Sequence, residues 1–199
     1  MTRVKICGIT NIEDALVAAT SGADALGFIF TSSPRHIEPV SAREIIEQLS
    51  PFVTTVGVFM NERSSIINEI CDITHIDVVQ LHGEEPPDFC RYIKRRIIKR
   101  FAIDKNEPTE SLYQLMKTYR ASAYLIDPGC GSGQTFNWHI IKNIDLPLVI
   151  AGGLNMSNVK EMVRILNPYG IDVCSGVEES PGKKDHIKLK DFIREVKSC

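Results

Sequence analysis

Short apolar runs recur along the chain, and each is followed by a stretch with apolar residues at helical spacing. The runs are Val4–Cys7, Ala25–Phe30, Thr54–Phe59, Asp77–Leu81, Ile97–Ala102, Ala123–Ile126, Leu146–Ala151 and Ile171–Cys174, starting about every 24 residues. Such near-continuous apolar runs are typical of parallel strands buried on both faces. The intervening segments carry helix starts. Asn11 is placed to cap a helix over 12–20, with Glu13 and Asp14 at its positive end. Ser41 precedes a helix over 42–49, apolar at Ile45, Ile46 and Leu49. Ser64 or Ser65 precedes a helical stretch over 66–70. Pro86 and Pro87 suit the first turn of a helix to Ile93, and Thr109 opens a helix over 110–119. Asn137 caps a short helix to Lys142, and Ser157 caps one over 158–166. Asp185 opens a last helix with Leu189, Phe192, Ile193 and Val196 at helical spacing.

Eight strands alternating with eight helices predict a closed (β/α)₈ barrel, α/β in class. A doubly wound open sheet is the alternative. It normally has fewer strands and a glycine-rich first turn, whereas the first turn here is Cys7-Gly8-Ile9-Thr10. The barrel reading makes residues 1–199 one catalytic domain, below the roughly 250 residues usual for the fold. About 25 residues per unit leave room only for short loops.

Composition narrows the partners. Lys and Arg total 23, Asp and Glu 25, for a formal net charge of −2. That gives no long-range attraction for nucleic acid or anionic membrane, so neither is expected as a partner. An anionic ligand would have to be held by local groups. The most basic stretch, Lys94-Arg95-Arg96 with Lys99-Arg100, is expected to form a solvated face. No apolar run reaches the ~18 residues of a membrane span, and no secretory leader is expected. The six cysteines are scattered without a CxxC pair, so no metal site is expected. Free thiols in a reducing cytoplasm follow.

In a barrel of this kind the chemistry lies where strands end and βα loops begin. Lys5 and Cys7 share the inner face of the first strand, with Cys7 nearer the mouth. Cys7 there is either reactive or a buried filler. Arg35, on the loop after the second strand, suits a carboxylate or phosphate, or lies on the surface. Gln80 and His82 share a face at the end of the fourth strand and need polar partners, from the core or from a ligand. Asp127 ends the sixth strand and is an acid–base candidate, or a brace for the loop holding Gly129, Gly131 and Gly133. Gly152 and Gly153 follow the seventh strand, and Ser175 and Gly176 the eighth. Paired loops there, with a short extra helix, form a phosphate site in such barrels through bare N–H groups. Trp138 is expected to anchor the sixth helix in the core, with no ligand role.

Five motifs occur in order: Val4-Lys5-Ile6-Cys7-Gly8-Ile9-Thr10; Val79-Gln80-Leu81-His82-Gly83; Gly131 to Trp138; Ala151-Gly152-Gly153-Leu154-Asn155; and Ser175 to Asp185. Together they resemble the N-(5′-phosphoribosyl)anthranilate isomerases of tryptophan biosynthesis over nearly the whole chain. The resemblance implies an Amadori rearrangement of phosphoribosylanthranilate to 1-(2-carboxyphenylamino)-1-deoxyribulose 5-phosphate, without cofactor or metal. It implies Cys7 as general base, Asp127 as general acid and Arg35 as the residue for the anthranilate carboxylate. It implies the loops at Gly152-Gly153 and Ser175-Gly176 as the phosphate site. The sequence departs at Cys130, Asn137, Met156 and Cys174, where the family more often has Gly, Asp, Pro and Ser. The expected partner is this small molecule alone, acting on a monomer. Two rivals are a histidine-pathway aminoaldose isomerase, which would carry aspartate in place of Cys7, and a non-catalytic phosphate-binding barrel, which would lack the acid or the base.

Overall fold

A computed structural model describes residues 1–103, 109–129 and 135–199. The predicted Cys130, Gly131 and Gly133 lie outside the described residues. Eight parallel strands close into a barrel: β1 (Arg3–Cys7), β2 (Ala25–Ile29), β3 (Thr54–Phe59), β4 (Val78–Leu81), β5 (Arg96–Ala102), β6 (Ala123–Asp127), β7 (Leu148–Ile150) and β8 (Gly170–Val173). Each strand pairs with its sequence neighbour, and β8 closes on β1 with Lys5 opposite Asp172. The register on the other side sets Cys7 opposite Gly27.

Side-chain alternation sorts the strands into two layers. Val4 and Ile6 of β1, Leu26 and Phe28 of β2, and Ile171 and Val173 of β8 join the large core between barrel and helices. A smaller apolar cluster, Ala123, Leu125, Val149 and Ala151, fills the barrel interior with Ile98 against it. Lys5, Cys7, Gln80, Asp127 and Asp172 fall on that same inner face by strict alternation.

The helices follow the predicted order with local differences. α1 (Ile12–Thr20) is capped by Asn11, whose side chain accepts from the Asp14 amide at 2.8 Å. α2 (Pro39–Ile46) starts before Ser41, because Pro39 takes the first helical position after Glu38. α3 (Ser64–Thr74) includes both serines, starts after Arg63 and runs past the expected 66–70, while α4 (Thr109–Lys117) forms close to its expected range. α5 (Val159–Leu166) begins after Asn158; Ser157 instead joins a side-chain turn with Asn155. α6 (His186–Lys197) is capped by Asp185, which accepts from the amides of Ile187 and Lys188. Segments Pro87–Tyr92 and Trp138–Ile141 are single 3₁₀ helices rather than α-helices. Four to six residues give too few i→i−4 bonds to repay nucleation. Trp138 packs against the core at the start of its segment, as expected.

Two further differences concern the loops. The basic stretch on β5 is not wholly solvated: Lys99 is 2% exposed and bonds Glu85 at 2.8 Å and the Gly83 carbonyl at 2.5 Å. The alternation that keeps Ile98 inside forces Lys99 outward, under the β4 loop. The connection from β8 to α6 also carries a small antiparallel hairpin, β9 (Glu178–Ser180) and β10 (Lys183–Lys184), which the apolar pattern did not announce. No described helix is long and apolar enough to cross a membrane.

Candidate active site

A cavity of about 410 Å³ opens at the C-terminal mouth of the barrel. All nine residues singled out from the sequence line it: Cys7, Arg35, Gln80, His82, Asp127, Gly152, Gly153, Ser175 and Gly176. They come from six different strand ends, as the architecture requires. No cluster of three or more His, Cys, Asp or Glu positioned to hold a metal occurs among the described residues.

Cys7 ends β1 and is 6% exposed. Lys5, two residues earlier on the same inner face, bonds Asp172 of β8 at 2.8 Å. Burial pushes the Cys7 thiol up, and the Asp172 carboxylate adds to it; Lys5 and then Lys184 oppose. For the Lys5 ammonium, burial works downward, but Asp172 and Cys7 outweigh it and raise its pKa. Lys5 is thus a firmly charged ammonium beside the thiol. Asp172 lines the cavity and was not among the residues picked out from the sequence. The alternation of Gly170 and Asp172 on β8, with Asp172 opposite Lys5 of β1, is the signal that identifies it.

Asp127 ends β6 and is 7% exposed. Burial raises its pKa; the Gly129 amide, donating to Oδ1 at 3.1 Å, and the Arg100 charge work the other way, while Asp172 adds to the rise. The net effect favours a carboxylic acid. His82 Nε2 lies 3.7 Å from Asp127 Oδ2. Burial, then Arg100, holds the imidazole down at about 4, so His82 is neutral near pH 7. Gln80 Nε2 lies 3.0 Å from His82 Nδ1, a donor that leaves the His82 proton on Nε2, toward Asp127. Gln80 Oε1 is buried and has no partner among the described residues.

The glycine loops leave amides bare. Gly152 and Gly153 have φ of +86° and +61°, a conformation open to glycine without strain. Gly176 belongs to a three-residue 3₁₀ turn, Ser175–Val177, where a Cβ would collide with the Leu154 carbonyl. The amides of Gly152, Gly153, Ser175 and Gly176 have no acceptor among the described residues. Four such N–H groups on one rim are of the kind that can hold an anion without side-chain charge.

Arg35 is 18% exposed and is held edge-on by Glu178 of the hairpin. Its Nε donates to Oε1 at 2.9 Å and its Nη2 to Oε2 at 2.6 Å. Glu178 and Lys184 were present in the sequence motif but were given no role of their own.

Residues 4–195 match the family described as N-(5′-phosphoribosyl)anthranilate (PRA) isomerase. The N-(5′-phosphoribosyl)anthranilate isomerase of Pelobacter propionicus is 49% identical over 205 residues, covering 99% of this chain and 96% of that one. The crystal structure of phosphoribosyl anthranilate isomerase from Thermotoga maritima superposes with a TM-score of 0.92 at 42% identity, covering all of both chains. A second structure of such an isomerase, in complex with reduced 1-(o-carboxyphenylamino)-1-deoxyribulose 5-phosphate, has a TM-score of 0.90 at 41% identity over all of both chains. With the barrel, the cavity and the motifs in place, these matches show that the chain belongs to the N-(5′-phosphoribosyl)anthranilate isomerase family.

Proposed function

We propose that the cavity isomerises N-(5′-phosphoribosyl)anthranilate to 1-(2-carboxyphenylamino)-1-deoxyribulose 5-phosphate, with Asp127 as general acid and Cys7 as general base. What carries the reading is one observation: a buried thiol and a buried carboxyl, its pKa raised by burial, share a cavity with an arginine and a rim of bare amides. Asp127 gives its proton to the ribose ring oxygen as the bond from C1′ to that oxygen opens, leaving a Schiff base at C1′. The Cys7 thiolate takes the proton from C2′, and the electron pair moves through C1′ to the nitrogen. The resulting enolamine tautomerises to the aminoketose. Every step is a proton transfer, for which one placed acid and one placed base suffice.

The remaining lining residues fit the rest of the substrate. Arg35 takes the anthranilate carboxylate, and the amides of Gly152, Gly153, Ser175 and Gly176 take the 5′-phosphate. Gln80 Oε1 accepts from a ribose hydroxyl, which supplies its missing partner, and His82 Nε2 faces Asp127 Oδ2 from 3.7 Å. We further propose that residues 1–199 form one domain, that the chain acts as a monomer and that a cytoplasmic setting keeps Cys7 reduced. Sedimentation of the purified protein tests the monomer.

The decisive assay offers phosphoribosylanthranilate and, in parallel, the histidine-pathway aminoaldose. Loss of the anthranilate fluorescence with the first and no turnover of the second supports the reading. Turnover of the second alone, or binding of the first without turnover, refutes it.

A further inference from the structure

The hairpin between β8 and α6 contributes an ion network that the acid–base steps do not use. Lys184 of β10 has a side chain with no exposed surface. Its ammonium donates to Glu178 Oε1 at 2.8 Å and to the backbone carbonyl of Cys7 at 2.6 Å. Its own amide is fastened to Asp14 of α1 at 2.8 Å. Glu178 is therefore fixed from below by Lys184 while it grips Arg35 above. Burial works against the Glu178 carboxylate, yet Arg35 and Lys184 hold it at about 2, so it stays charged. Cys174, 3.8 Å from Lys184, is pushed up to about 12 by burial and adds no charge.

The geometry at Arg35 is specific. Glu178 occupies the guanidinium edge formed by Nε and Nη2. The opposite edge, Nη1 with the second proton of Nη2, has no acceptor among the described residues, and Arg35 lines the cavity. That edge is the fork that takes a carboxylate with two parallel bonds. Charge points the same way. Glu178 is shared between two cations, Arg35 and Lys184, so it does not cancel the Arg35 charge by itself. We infer that Glu178 and Lys184 are positioning residues for substrate selection: Lys184 pins Glu178, and Glu178 turns the free edge of Arg35 toward the substrate carboxylate. The same ammonium ties this clamp to the Cys7 backbone, so clamp and base share one anchor. The inference rests on the proposed function and deepens it.

The test compares two substrates, N-(5′-phosphoribosyl)anthranilate and N-(5′-phosphoribosyl)aniline, which lacks the carboxylate. Wild type prefers the first in kcat/KM, and Arg35→Ala abolishes the preference. Glu178→Gln and Lys184→Met lower the preference at least about tenfold, mainly through KM for the carboxylated substrate. Glu178→Asp and Lys184→Arg, which keep the charges and guard against simple unfolding, recover part of it. A merely structural role would depress both substrates equally. If Arg35→Ala abolishes the preference while Glu178→Gln and Lys184→Met leave it intact, the inference is wrong and the function stands. If wild type turns over neither substrate, the proposed function itself has failed.

Discussion

Lys99 and Glu85 form an ion pair whose side chains are each 2% exposed, under the loop that follows β4. Lys99→Met keeps the length of the side chain and removes the charge. Two hydrogen bonds are lost at once. Glu85 Oε2 loses its partner at 2.8 Å, and the Gly83 carbonyl loses its donor. Glu85 Oε1 keeps the amides of Asn61 and Gly83. An uncompensated buried carboxylate costs about 3–5 kcal/mol. For a chain of this size about 2.5 °C of Tm accompanies each kcal/mol, so Tm falls by about 7–12 °C. Glu85 also fixes the sign with pH. Burial works to raise its pKa, but the Lys99 bond and the backbone amides hold it below the usual carboxylate range. In wild type the pair therefore stabilises above the unfolded carboxylate pKa, about 4.3, and that stability is lost as pH falls through the lower folded value. In Lys99→Met the folded pKa of Glu85 rises above that of the unfolded chain. Unfolding then becomes harder as pH falls from 7 toward 5, a range over which the wild-type pair contributes no pH dependence. Lys99→Met/Glu85→Gln recovers most of the loss, because a buried amide needs no counter-charge. Thermal melts by circular dichroism between pH 5 and 8 read all three. A Tm within about 2 °C of wild type, with an unchanged pH trend, would refute the account of this pair.

Three further outcomes follow from the site. Asp127→Asn removes the transferable proton and lowers kcat by about 10²–10⁴ with little change in KM; steady-state kinetics checks it, and substantial residual turnover moves the acid elsewhere. Arg35→Ala raises KM by about 10–150-fold, the worth of a charge-assisted pair of bonds; a loss confined to kcat contradicts a carboxylate clamp. Lys5→Met removes the cation that opposes burial at Cys7, so the Cys7 pKa rises and its alkylation by iodoacetamide moves to higher pH. An unmoved profile removes Lys5 from the account.

The barrel was legible because its signals are local. Eight β-rich runs at regular spacing admit few architectures, and the pleat then sends Val4 and Ile6 outward and Lys5 and Cys7 inward. The strand-end rule brought Cys7, Asp127, Gln80 and His82 to one cavity without any knowledge of contacts. What escaped was set by long-range pairing. Asp172 is found only when β8 is laid beside β1, and Lys184 reaches Cys7 across 177 positions of sequence. Lys99 read as a surface charge because its partner, Glu85, lies in a loop with no periodic pattern. Helix starts failed where a competing residue decided them: Pro39 overrode Ser41, and the side-chain turn at Asn155 displaced Ser157. The two short 3₁₀ segments have helix-like composition but not the length to propagate.

The central claim is that Cys7 is the base, and Cys7→Ala tests it directly. The account predicts that this variant still binds phosphoribosylanthranilate with KM near wild type, while kcat, followed by loss of substrate fluorescence, falls by about 10²–10⁴. A kcat equal to that of wild type would contradict it.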